Sequence, residues 1–289
     1  MMEIIKAIKS WIARNKNTNK PQCKIISNTP KQYSEIKPYV LENGKKYLTD
    51  EEIQTILRNA QADLMGEKYS EVLDLYSQII DNSSPTNSYL PYIFAAKAAI
   101  YSYLKNWDKA IENTRKSIEL NPGSGDSYLS LGAYITWKYF YTGNFKIDGN
   151  YDVLEESIKC YEKCIECNPS NTTARLNILE TYIFMRRWYD AIGYNGSDII
   201  GFINSPEEKL RSTWLLCLSL CLAGEAIEDE DIKLLYDHST AYNTNHDYHQ
   251  IEDVLNELER VGFDSERLHK AKEIHKLYLS HIKQSKANE

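Results

Sequence analysis

One set of residues recurs along this chain in fixed order and at fixed spacing. Ala98, Tyr101, Trp107 and Ala110 return 81 residues later as Leu179, Tyr182, Trp188 and Ala191. Leu131-Gly132 and Ile135 follow Lys97-Ala98 and Tyr101 by 34, while Ala60, Tyr69 and Val72 precede Ala98, Trp107 and Ala110 by 38. Asn121-Pro122 and Asn168-Pro169 lie 47 apart. A 34-residue period with inserts of four and thirteen accounts for all of these matches. A period of this length means one supersecondary unit used repeatedly. No single unit buries its apolar face, so stacking makes the core.

The unit is helical. The 289 residues include only 12 Gly and 8 Pro, too few turn-makers for many short strands. From Leu48 onward, apolar residues fall at helical spacing almost to the end, and no segment alternates as a half-buried strand would. Thr49-Asp50-Glu51-Glu52 reads as a capping box that opens a helix, and Ser205-Pro206-Glu207-Glu208 as a second start, with proline at the first helical position. Gly193, Gly196 and Gly201 fall inside one expected helix, Tyr189–Ile203. Each disfavours helix by about 1 kcal/mol relative to Ala, so that helix is expected to be short, kinked or frayed.

The run Ala98…Tyr101…Trp107-Asp108-Lys109-Ala110…Ile118-Glu119-Leu120-Asn121-Pro122 resembles the tetratricopeptide repeat, and Arg187-Trp188-Tyr189-Asp190-Ala191-Ile192 repeats its middle. The resemblance implies an all-α fold, a right-handed superhelical solenoid of antiparallel helix pairs. It divides the chain into a basic arm with an amphipathic helix and polar linker (1–46), four repeats (47–205), and a degenerate helix pair with capping helices (206–289). The third repeat carries the thirteen-residue insert around Thr142–Tyr151, expected to lengthen both of its helices about a Gly143…Gly149 turn.

Repeats of this kind imply a concave groove lined by the first helix of each pair. Carried onto this sequence, the groove is Leu57, Gln61, Tyr92, Tyr103, Asp126, Leu129, Trp137, Leu176, Glu180 and Phe184. Tyr and Trp are good anchors because they bury large area at low entropy cost. The expected partner is a protein or peptide segment, extended or helical, that is apolar with some Lys or Arg, since Asp126 and Glu180 select against acidic ones. The family's clamp for the carboxylate tails of heat-shock chaperones needs Lys, Asn and Arg. The corresponding places hold Leu57/Gln61, Ala96 and Asp126/Ser130, so chaperone tails are not expected partners.

Charge is unevenly spread. The chain carries −7 overall, yet residues 1–46 hold ten Lys/Arg against Glu3, Glu35 and Glu42. The acidic bulk disfavours a general nucleic-acid surface. Glu3–Arg14 places Ile4, Ile5, Ile8, Trp11 and Ile12 at helical spacing, with Lys6, Lys9 and Arg14 off that stripe. Three roles suit such an arm: a cap docked on the acidic body, a partner-binding arm, or a weak interfacial helix on an anionic membrane. An RNA-binding or membrane-tethered protein acting through the arm is therefore the competing reading. No secretory signal or membrane-spanning stretch is read, and the six cysteines lie mostly in helical patterns, so a cytoplasmic scaffold is expected.

Nothing in the sequence calls for a cofactor or an enzyme. Cys160, Cys164 and Cys167 share the spacing of an iron–sulfur motif, but they share one face of a repeat helix, where cysteine packs as a small apolar residue. Cys217 and Cys221 read the same way. His246, His249 and Glu252 could hold a metal but lack a further ligand fixed by motif. Phosphate loops, nucleophile elbows and zinc-protease motifs do not occur.

Overall fold

The computed structural model describes residues 39–40, 46–143, 145, 151–203, 205–236 and 249–287. The arm helix expected at Glu3–Arg14, most of the polar linker, His246 and Gly149 lie outside them. Among the described residues there are twelve α-helices and one two-residue antiparallel ladder, β1 (Tyr39–Val40) with β2 (Lys46–Tyr47), in register Tyr39↔Tyr47 and Val40↔Lys46. This short ladder falls where no strand was expected.

The chain forms two compact units that divide at Pro122/Gly123, inside the run expected as four repeats. The first holds α1 (Asp50–Met65), α2 (Tyr69–Asn82), α3 (Leu90–Tyr103) and α4 (Trp107–Leu120). The second holds α5 (Gly125–Tyr141), α6 (Asp152–Cys167), α7 (Thr172–Phe184), α8 (Trp188–Tyr194), α9 (Pro206–Ala223), α10 (Asp229–Tyr236), α11 (His249–Arg260) and α12 (Ser265–Ala287).

Among the described residues the helices come as six hairpins, and each first helix is followed by a left-handed residue: Glu67, Lys105, Gly143, Arg186, Gly224 and Gly262. Their spacings are 38, 38, 43, 38 and 38 residues. In five of the six, two hydrogen bonds close the end of the first helix. At Lys105, for example, Lys105 N–H donates to the Ser102 carbonyl at 2.9 Å and Asn106 N–H to that of Tyr101 at 2.8 Å. The pairs at Glu67, Arg186, Gly224 and Gly262 follow the same pattern. A left-handed residue there satisfies carbonyls that would otherwise be orphaned at the helix end. Three of the six are not glycine, which is why the turns are inconspicuous in the sequence.

The starts follow side-chain chemistry. Thr49 and Glu52 form the expected box, with Thr49 N–H on the Glu52 carboxylate at 2.7 Å and Glu52 N–H on the Thr49 hydroxyl at 3.3 Å. Asn106, Ser124, Asn171 and Ser205 each accept the N–H three residues on. Such a cap is worth about 1 kcal/mol. Asn121 and Asn168, ahead of the two prolines, end α4 and α6 with nearly identical backbone angles. The thirteen extra residues are taken up partly by longer helices: α5 and α6 have 17 and 16 residues, against 14 each for α3 and α4.

In the first unit the core is Ile53, Ile56, Ala60, Val72, Leu75, Tyr76, Ile79, Ile93 and Ile100. In the second it runs from Tyr139 through Tyr278. Gly132 receives the ring of Tyr161 so closely that a Cβ there would sit 2.5 Å from Cε1. Farther along, α12 packs on α9, and the rings of Trp214 and Tyr278 stack with centroids 4.0 Å apart and planes 1° from parallel. The tail hairpins thus share the core of the second unit.

The glycine-rich helix behaves as its composition demands. After seven residues α8 gives way to a π-turn, Asn195–Ile199, and a 3-10 turn, Ile200–Phe202. Beyond the local backbone, no atom lies within 4 Å of where a Cβ would stand at Gly193, Gly196 or Gly201, so helix weakness and not close packing explains them. The segment is held instead by side chains. Ser212 donates to Asn195 Oδ1 at 2.5 Å, Thr172 donates to the Phe202 carbonyl at 2.9 Å, and the Arg175 guanidinium lies 3.7 Å from the centroid of the Phe202 ring.

Candidate functional site

In the first unit, α3 carries the surface best suited to a ligand. Its sequence, LPYIFAAKAAIYSY, is apolar nearly all round, with Lys97 as its single charge. Such a helix is normally covered on all sides. Here Leu90, Ile93, Ala98 and Ile100 are buried, while Tyr92 and Tyr103 remain 44% and 42% exposed. Tyr92, Ala95, Ala96, Ala99 and Tyr103 fall at i, i+3, i+4, i+7 and i+11, one stripe of the helix, with the three alanines half-buried. A shallow floor of small side chains therefore runs about 16 Å between two phenols. Tyr69, at the start of α2, places its ring 4.9 Å from that of Tyr103, and burial pushes its ionisation up to about 12. Leu57 on α1 is half-buried against the core, and Gln61 follows it by one turn. Lys97 points away from the stripe, toward the Ser77 hydroxyl at 2.9 Å.

The second unit treats its expected groove residues differently. On α5, Asp126 is exposed, Leu129 is half-buried against the core, and Trp137 is half-buried with its ring 5.9 Å from that of Tyr134. On α7, Leu176 and Phe184 are each 2% exposed, so they are core and present nothing to a partner. Phe184 packs edge-on against Phe140 at 4.8 Å. The tail hairpins explain the difference, because α9 and α11 both pack on α7.

Glu180 also differs from expectation. Arg211, on α9, donates to its carboxylate at 2.9 Å and to Asn177 Oδ1 at 3.0 Å. The two charged side chains are only 8% and 15% exposed. Burial raises the Glu180 pKa, and the guanidinium pulls it back down. Its charge is already matched inside the unit, which removes it as a selector of basic partners. Sequence reasoning had no signal for this pair, because Arg211 lies 31 residues away on a helix read as degenerate.

Four of the five described cysteines serve packing. Cys160, Cys164, Cys217 and Cys221 are buried, while Cys167, at the end of α6, is exposed. Burial pushes the thiols of Cys164 and Cys221 up to about 11 and that of Cys217 up to about 12, away from the thiolate a metal would need. Among the described residues, no group of three His, Cys, Asp or Glu side chains could hold a metal ion, and no helix is long and apolar enough to cross a membrane.

No family model matches the chain. It is 26% identical over 181 residues to the small glutamine-rich tetratricopeptide repeat-containing protein of Dictyostelium discoideum, covering 61% of this chain and 47% of that protein. It is 24% identical over 108 residues to the small glutamine-rich tetratricopeptide repeat-containing protein 2 of Mycosarcoma maydis, covering 37% of this chain and 26% of that one. The chain thus spans about half the length of the first relative and about a quarter of the second. Among solved structures it is similar to MamA, with a TM-score of 0.48 and 14% identity over 73% of this chain and 96% of that one. It is also similar to YrrB, a TPR protein with an unusual peptide-binding site, at TM-score 0.47 and 10% identity over 75% and 90%.

Proposed function

We propose that this chain, whose curated relatives are tetratricopeptide-repeat proteins and whose hairpins carry the residues of that repeat, is a non-enzymatic protein-interaction adaptor. Its binding surface is the Tyr92–Tyr103 stripe of α3. In the second unit the face of α5 that carries the exposed Asp126 and the half-buried Leu129 and Trp137 is a further contact surface. The observation that carries the reading is an apolar helix that keeps two tyrosines more than 40% exposed, at the ends of a row of half-buried alanines. Apolar side chains of a partner fill the floor, and the tyrosine rings close over them. Phe184 and Leu176 have no part in this surface, and neither does Glu180.

Selection from a random peptide library tests it. The wild type is expected to enrich apolar peptides bearing Lys or Arg. A Tyr92→Ala/Tyr103→Ala variant with unchanged helical content is expected to lose that enrichment. No enrichment by the wild type, or enrichment indifferent to the two tyrosines, would overturn the assignment.

A further inference from the structure

Lys97 stands at a place that the two following repeats give to aliphatic side chains. Leu131 and Ile178 occupy it 34 and 81 residues on, 6% and 1% exposed, whereas Lys97 is half-buried and is the only charge on α3. We propose that Lys97 is an acylation site, whose amine takes an acyl group directly from a thioester and gives up its charge in doing so. This goes beyond the adaptor reading and stands without it.

The setting of the amine carries the argument. Lys97 Nζ donates to Ser77 Oγ, on α2, at 2.9 Å. The Ser77 hydroxyl already donates its one proton to the Leu73 carbonyl at 2.8 Å, so toward Lys97 its oxygen only accepts. A neutral amine at this place therefore keeps its lone pair free of the serine. The charged groups that act on it are Asp81 and Asp74 on α2, and Glu112 and Lys109 on α4. Among the described residues Lys97 forms no ion pair with any of these carboxylates.

Burial lowers the Lys97 pKa from the ordinary lysine value; the three carboxylates pull it partly back, and Lys109 adds to the fall. A larger share of this amine is neutral at a given pH than of an ordinary lysine, and only the neutral form is a nucleophile. Three other lysines of the unit are held differently. Lys116 and Lys68 lie in ion pairs, with Glu119 at 2.9 Å and Asp63 at 3.5 Å, and Lys109 lies 5.2 Å from the centroid of the Tyr101 ring.

In the step, the amine lone pair attacks the thioester carbonyl carbon. A C–N bond forms, the C–S bond breaks, the thiolate leaves, and the proton lost by nitrogen passes to it through water. The products are a neutral amide and a free thiol. Loss of the charge suits a position at which the chain otherwise buries Leu131 and Ile178, since a charge is costly to bury and an uncharged chain is less so.

The test incubates the full chain with the acetyl thioester of N-acetylcysteamine at pH 8 and at pH 10 and follows each lysine by mass spectrometry. At pH 8 Lys97 is expected to acetylate about threefold faster than the exposed Lys116, or more, and the ratio should shrink at pH 10, where ordinary lysines gain their neutral fraction. A rate no greater than that of Lys116, or a ratio indifferent to pH, would overturn the proposal. Ser77→Asp, checked for unchanged helical content, places a carboxylate at the amine. It should slow Lys97 to the rate of Lys116 or below while leaving Lys116 unaffected. Undiminished acetylation of Lys97 in that variant would show that exposure alone sets the rate, and would overturn the proposal as well.

Discussion

Two Gly→Ala substitutions in the second unit should move stability in opposite directions. At Gly132 the new Cβ would stand 2.5 Å from Tyr161 Cε1 and 2.9 Å from both Cδ1 and Cζ. Carbon atoms in contact sit about 3.5–4.0 Å apart, so the ring must retreat by about 1 Å. It has little room, since Tyr161 is 2% exposed and its hydroxyl is hydrogen-bonded to Thr136. Overpacking of this kind typically costs about 1–3 kcal/mol, and a 2.5 Å approach to a ring with no room to move belongs at about 2–3 kcal/mol; against about 1 kcal/mol gained by replacing Gly inside a helix, this leaves Gly132→Ala about 1–2 kcal/mol less stable. At Gly193 nothing lies within 4 Å of the new methyl, so only the helix gain of about 0.5–1 kcal/mol remains. For a unit of this size these become roughly a 2–8 °C loss and a 1–4 °C gain in Tm. Thermal melts followed by circular dichroism should order the proteins Gly132→Ala, wild type, Gly193→Ala. A Tyr161→Leu change should cost less in the Gly132→Ala background than alone, because it removes the clash. A Gly132→Ala protein as stable as the wild type would refute the packing argument.

Two further perturbations probe the polar network and the turns. Burial raises the Glu180 pKa above that of the unfolded chain, so the protonated carboxyl stabilises the fold below the unfolded value, and this contribution is lost as pH rises through the native one. Arg211→Met removes the charge that opposes this shift; its urea midpoint should therefore fall more steeply than that of the wild type from about pH 4 upward, and Glu180→Gln/Arg211→Met should be flat by comparison. Glu67 holds φ of 59° at the first hairpin turn, so Glu67→Gly should raise the melting temperature of the first unit, by about 0.5–1 kcal/mol in stability, whereas a fall would show that the turn is not strained.

Helix type and pairing were legible because they depend on local chemistry. The Thr49 box, the Ser205 cap, the Asn-Pro ends and the weak helix after Trp188 all stand where spacing and propensity place them. The turns were harder to read. Glu67, Lys105 and Arg186 adopt the same left-handed conformation as Gly143, Gly224 and Gly262, but an ordinary side chain leaves no mark of it in a sequence. The groove divided along the same line. Tyr92 and Tyr103 come from carrying the repeat's concave face onto the sequence, and both are exposed, as that placement requires of α3.

Leu176, Glu180 and Phe184 have the same phase on α7 yet lie against other helices, because α9 and α11 return from tens of residues away. Arg211 on the neutralising side and Phe140 on the packing side both belong to helices other than α7, and no pattern within α7 encodes them. The same hairpins that complete the core of the second unit therefore remove three of its expected binding residues. The first unit has no such return, and there Tyr92 and Tyr103 stay 44% and 42% exposed.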